Sequence, residues 1–249
     1  MDGHGMSQPK RTERTAMSFK TKQDQVADIL RERVISGVYG RGTKLKQSEI
    51  AEELGVSITP VREALHILEA EGYISGLSHR GLLVPHFVPA ATQEIFELRL
   101  MLERDLTAHA VPNVTPEHLA ELRSFQNVVS EISRGRDRLA TRTANFRFHF
   151  RLYELAGRPQ TLSFVRVLWA KYPFIYQELG GRRMHHIEEH ERFLDRVAAG
   201  DRDGAVEAMV DHIRSGWNEL HKHGWLNGEP PAPEHGDGGE DRRKLAGVD

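Results

Sequence analysis

From residue 49 the chain runs Glu49-Ile-Ala-Glu-Glu-Leu-Gly-Val-Ser-Ile-Thr-Pro-Val-Arg-Glu-Ala-Leu-His-Ile-Leu-Glu-Ala-Glu-Gly72, two short stretches of helical apolar spacing on either side of Gly55. Gly55 can stop the first helix, which starts at Gln47 or at Ser48, a reasonable cap. Ser57 or Thr59 can cap the second, and Pro60 is tolerated in a first turn that has no intrahelical N–H bond to lose. Val61, Leu65, Ile67 and Leu68 then face inward until Gly72 ends the helix. Two helices joined by so short a turn, the second beginning with polar side chains, form the unit that presents a helix end to the major groove of DNA. Ser57, Thr59 and Arg62 stand at that end, and Arg62 can offer a bidentate fork to guanine. The alternative is that Arg62 pairs with Glu63, Glu69 or another surface carboxylate and that the three-helix unit only mediates protein contacts.

The flanks complete the unit. Val26, Ile29, Leu30 and Val34 predict a helix stopped by the glycines at 37, 40 and 42. Tyr73-Ile-Ser75 and Leu82-Leu-Val84 predict a small hairpin whose tip holds Arg80 and Gly81. Three helices and a hairpin make a winged helix-turn-helix. From Thr92 onward no convincing strand is read. Helices are expected over Thr92 to Ala110, Thr115 to Arg134, Arg138 to Ala156, Leu162 to Glu178, Met184 to Ala199 and Arg202 to His223, an all-helical bundle of about six helices. The fold class is therefore mainly α, with the winged unit at residues 21–86, a linker at 87–91 and the bundle at 92–227. Residues 1–20, a polar basic arm, and 228–249, rich in proline and glycine, are expected to be disordered.

Composition narrows the chemistry. With no cysteine the 249-residue chain has no thiolate metal site and no disulfide, so a metal must be held by His, of which there are 14, or by oxygen ligands. The absence of a long apolar run predicts no membrane span and a cytoplasmic protein. A net charge of −2 gives no general attraction to nucleic acid. Residues 1–88 hold 12 Lys and Arg against 11 Asp and Glu, and ten of those basic residues precede Ser48, so the N-terminal arm is the expected source of phosphate contacts.

Gln25 to Gly37, Leu45, Glu49-Ile-Ala, Leu54-Gly-Val-Ser57, Thr59-Pro-Val-Arg-Glu-Ala-Leu65, Leu68-Glu-Ala-Glu-Gly72 and Arg80-Gly81 together closely resemble the GntR family of bacterial transcription regulators. The helical remainder resembles the ligand-sensing FCD domain of the family's FadR branch. The resemblance implies a homodimeric regulator, a repressor, reading a near-palindromic operator in double-stranded DNA through Ser48, Ser57, Ile58, Thr59, Arg62, Arg80 and Gly81. Ile58 stands where the family usually has Arg, so the operator is expected to differ from that usual for the branch.

In the bundle, Asn145 and His149 lie four apart on one helix, and His190 and His212 come from the two helices that follow. Spacing alone favours separate core or surface histidines, because an i,i+4 pair is weak evidence of a site. Resemblance to metal-binding FCD proteins implies that these four hold a divalent transition metal. Zinc is the first choice, with nickel, cobalt or manganese also suited to imidazole and amide ligands. Asn145 replaces the family's Asp, so no protein ligand cancels the ion's charge and an organic-acid effector is expected to complete the shell. Arg99, matching an arginine common on the first FCD helix, would hold the effector's other end; a salt bridge to Glu103 or Glu97 is the competing role. His185 and His186 are expected to be solvated at a helix start, and Trp169, Tyr172, Phe174 and Tyr176 to be core. Two other functions fit the residues. A zinc-dependent hydrolase would need a general base, which neither Glu188 nor Glu189 is clearly placed to supply, and a constitutive architectural DNA binder would use the bundle only to dimerise.

Overall fold

The computed structural model describes residues 20–77, 81–135, 138–172 and 183–222. The chain opens with α1 (Lys22–Ser36), β1 (Lys44–Leu45), α2 (Gln47–Leu54), α3 (Ile58–Ala70), β2 (Ser75–Leu77) and β3 (Gly81–Leu83). After a 3-10 turn at Pro89–Ala91, within the expected linker, come α4 (Thr92–Ala110), α5 (Pro116–Gly135), α6 (Arg138–Glu154), α7 (Pro159–Lys171), α8 (Arg183–Ala198) and α9 (Arg202–Lys222).

Local chemistry sets the ends. α1 begins with a capping box, in which Thr21 accepts from the Asp24 N–H while the Asp24 carboxylate accepts from the Thr21 N–H, and it ends at Gly37 in the left-handed region. Gly55, also left-handed at φ 64°, closes α2 and aims the chain into α3. The N-cap of α2 is Lys46, without a side-chain cap bond, so Ser48 lies inside the first turn instead of capping it. Ser57 occupies the N-cap position of α3 in extended backbone, yet its hydroxyl makes no cap bond.

Two differences from the sequence reading have plain causes. The sheet has three strands in the order β1-β3-β2, antiparallel throughout, because Lys44 and Leu45 pair with Leu83 and Leu82. Two residues are too few to display an alternating pattern. The helix expected over Leu162 to Glu178 starts earlier, at Pro159, and stops at Lys171, where Tyr172 is extended (φ −82°, ψ 142°). Tyr172 precedes Pro173, whose ring disfavours helical backbone in the residue before it.

Two apolar cores form. Leu30, Val61, Leu65, Leu68, Tyr73, Ile74 and Val84 fill the one beneath the winged head. The larger lies among the bundle helices, around Leu106, Leu122, Phe148, Leu152, Tyr153, Val165, Phe193, Met209 and Leu220. The cores meet where α1 packs on α6 and α7. Ile35 touches both, and Ala170 of α7 is buried in the head's core. Polar contacts tie the same seam: Arg147 pairs with Glu32 at 2.6 Å, and Arg41 Nη2 donates to the Ala170 carbonyl at 2.7 Å.

Candidate functional site

α6, α8 and α9 each bring one histidine to a common point in the bundle core. His149, His190 and His212 are 1%, 0% and 6% exposed, which excludes the reading of separate surface residues. Their Nε2 atoms are 3.2 Å apart for His149 and His212, and 3.3 Å for each of the other two pairs. Aromatic packing fixes the rings: Phe148 stacks on His190 with centroids 4.2 Å apart, and Trp169 lies 5.1 Å from His149.

The opposite ring nitrogens decide the tautomers. His212 Nδ1 faces a Glu189 carboxylate oxygen at 2.8 Å, an acceptor only, so it is the donor. His190 Nδ1 faces Gln126 Oε1 at 2.8 Å, and the same amide's Nε2 donates to the Ile187 carbonyl, which sets its orientation. His149 Nδ1 lies 3.1 Å from the Tyr153 hydroxyl, whose proton is committed to Glu103 Oε2 at 2.6 Å. All three rings therefore carry their proton on Nδ1, and three Nε2 lone pairs face one another.

Burial holds the His149 imidazole well below its ordinary pKa, reinforced by the neighbouring His212, His190 and Arg99, so the ring is neutral. Burial first, and then Glu103, raises the Tyr153 phenol well above its usual value, which keeps its proton in place.

Three converging acceptors are costly without an electrophile, since each buried unsatisfied polar group costs about 1–3 kcal/mol. Three nitrogens bound at about 2.1 Å would stand about 3.4 Å apart around a tetrahedral ion and about 3.0 Å around an octahedral one. The observed 3.2 to 3.3 Å lies between. The donor set thus fits a divalent transition metal, with each imidazole oriented through its second nitrogen as metal-binding histidines commonly are.

Asn145 is half-buried one helical turn before His149, and its side chain makes no hydrogen bond among the described residues. Arg99 is 4% exposed and its Nε donates to Glu103 at 2.7 Å, so the salt-bridge role is filled. Its guanidinium also lies 4.2 Å over the Tyr172 ring and 5.1 Å over Trp169. Trp169 and Tyr172 are buried, as expected of core residues, and both border this group; Phe174 and Tyr176 lie outside the described residues. The expectation for His186 was wrong: it is half-buried, its ring centroid 5.4 Å from that of His212, because it stands four residues before the buried His190 on α8 and shares that inward face. His185 has no described side chain.

Sequence reasoning missed Gln126, met Tyr153 only as part of the segment that resembles the family around His149 and gave it no role, and weighed Glu189 only as a general base. The one available signal was the spacing of Tyr153 from His149, four residues along the same helix face.

On the head, Ser48, Ser57, Ile58, Thr59 and Arg62 are all exposed. Among the described residues Arg62 makes no ion pair and no hydrogen bond, so the carboxylate-paired alternative does not hold. Gly81, at φ 82°, opens β3; Arg80 lies outside the described residues.

Residues 22–84 match the family described as bacterial regulatory proteins, gntR family, and residues 94–215 match the FCD domain. The chain belongs to the GntR family and carries an FCD domain. It is 28% identical over 192 residues to the HTH-type transcriptional regulator McbR of Escherichia coli, covering 75% of this chain and 87% of that protein. It is 26% identical over 223 residues to a probable D-xylose utilization operon transcriptional repressor of Paenarthrobacter nicotinovorans, covering 89% and 92%. The solved structure of E. coli McbR/YncC superposes with a TM-score of 0.72 at 26% identity, covering 82% of this chain and 99% of that one. The chain is accordingly a DNA-binding transcriptional regulator with an effector-binding domain, and its relatives are regulators, not enzymes. No helix among the described residues is long and apolar enough to cross a membrane.

Proposed function

We propose that this regulator is a cytoplasmic homodimeric repressor whose bundle senses an organic acid through a metal-assisted site. The observation that carries the proposal is the convergence of three Nε2 lone pairs within 3.3 Å, each imidazole pinned from behind. His149, His190 and His212 would hold the ion, with the Asn145 amide oxygen as a fourth ligand. A divalent ion there would supply a Lewis-acid centre whose remaining positions suit an anionic oxygen. Zinc is the first choice.

The protein's own groups set the selectivity. No ligand carboxylate opposes the ion, so an organic carboxylate is favoured, and Arg99 would hold its second end. Arg99 and His149 both lie against Trp169, which makes them two parts of one wall. Glu103, shared by Arg99 and Tyr153, links that arginine to the ring of His149.

Signal transfer follows from adjacency in the chain. Trp169 packs on the site, and the next residue, Ala170, is buried in the head's core with its carbonyl bonded to Arg41. A shift of α7 is therefore felt by the head directly as well as through residues 87–91. Two heads on one dimer would read half-sites at a fixed spacing in a near-palindromic operator, with Ser48, Ser57, Ile58, Thr59, Arg62, Arg80 and Gly81 at the DNA. An effector changes operator affinity only by binding the DNA-competent and incompetent forms unequally.

The test is a fluorescence titration of a selected operator at fixed salt, with zinc-loaded protein, across mono-, di- and tricarboxylic acids. At least one acid weakens operator binding by wild type and leaves His149→Ala unchanged. Operator affinity indifferent to every acid would refute the sensing reading.

A further inference from the structure

α3 presents a mixed face. Val61, Ala64, Leu65 and Leu68 are fully buried, whereas Ile58, at the first helical position, is 49% exposed. Ile58 shares its side of the helix with Arg62, one turn on. Among the described residues Ile58 belongs to neither core, and it is not one of the partly buried apolar side chains packed against them. Beside it the Ser57 hydroxyl makes no cap bond, and Arg62 makes no ion pair among the described residues. The helix end thus offers one branched apolar side chain, one unengaged hydroxyl and one unengaged guanidinium, side by side.

In the major groove only thymine displays a methyl group, and guanine displays the paired acceptors that an arginine fork takes. Four residues of helix rise about 6 Å, and successive base pairs about 3.4 Å, so groups four apart on α3 meet base pairs one or two steps apart. We infer that Ile58 is a specificity-determining residue that packs on a thymine 5-methyl group, within two base pairs of the guanine taken by Arg62. The inference rests on the reading of α3 as the groove-reading helix and names what that helix selects. Each half-site then contains a thymine and a guanine at that separation, on the same or opposite strands.

The experiment uses full-length protein and a duplex sequence enriched from a random pool. Each thymine of the half-site is replaced singly by deoxyuridine, which removes the methyl and keeps every hydrogen-bonding group. At one position wild type loses about fourfold in affinity, the worth of one buried methyl group. Ile58→Val, which keeps the branched methyls, retains the discrimination. Ile58→Ala binds the thymine and uracil duplexes equally, and Arg62→Ala weakens both while preserving their ratio. The inference is overturned if no position responds to deoxyuridine, or if Ile58→Ala discriminates as wild type does. A pool that yields no enriched sequence instead overturns the groove-reading role of α3, and the inference with it.

Discussion

Each of the three imidazoles is aimed by a different acceptor: Glu189, Gln126 and the Tyr153 hydroxyl. Such partners set ring orientation and ligand basicity, and losing one typically costs 10- to 100-fold in metal affinity. Glu189→Gln, which keeps the shape and removes the charge, should therefore weaken zinc binding by about 10- to 100-fold, read by calorimetric titration. Asn145→Asp should strengthen it, because a carboxylate ligand cancels one charge of the ion. Acid has a defined sign. His149 stays neutral in the fold while the unfolded chain takes up a proton near the ordinary value of 6.5. Metal-free protein should thus lose stability as pH falls below that value, by up to about 1.4 kcal/mol per pH unit for this one group. Urea midpoints measured between pH 7.5 and 5.5 would check it, and replacing His149 with Gln should flatten the profile. The histidines were legible through the resemblance to metal-binding FCD proteins, because a four-residue spacing on α6 and single histidines on two later helices do not by themselves require convergence. Glu189, Gln126 and Tyr153 were not, because the partner of a ring nitrogen depends on rotamer and helix rotation, which spacing does not encode.

At the scale of elements, capping chemistry and apolar period placed most helices within a few residues. α4 has the bounds Thr92–Ala110 expected of it, and the Thr115 hydroxyl accepts from the His118 N–H at the start of α5 as a cap should. Where the sequence misled, a local rule had been overlooked or a pattern was too short. Tyr172 ahead of proline is the first case and the two-residue strand β1 the second. The capping box of α1 gives an element-scale test: Thr21→Ala should cost about 1 kcal/mol in urea unfolding. Arg31 binds Asp28 and Glu71 nearby and holds α1 to the end of α3. A frayed α1 should accordingly loosen the recognition helix as well, visible as faster amide exchange in α3.

Over the whole molecule, the helices that build the histidine cluster also carry the head. α6 holds His149 and, two residues earlier, the Arg147 that pairs with Glu32; α7 places Trp169 at the cluster and Ala170 in the head. Coupling between sites is reciprocal, so a ligand that weakens operator binding must itself bind less tightly to the operator complex. Arg41→Ala, which removes the bond to the Ala170 carbonyl, should leave zinc affinity unchanged and reduce that mutual effect, measured as operator affinity with and without the active acid. All of this depends on the buried imidazoles acting together as a ligand set. Elemental analysis of full-length protein, stripped with chelator and re-equilibrated with zinc, nickel, cobalt or manganese, tests that most directly. About one ion per chain is expected for wild type with at least one of the four metals, and none once His149, His190 and His212 are all replaced by alanine. Wild type that retains none of these metals, or a triple variant that retains as much as wild type, would contradict it.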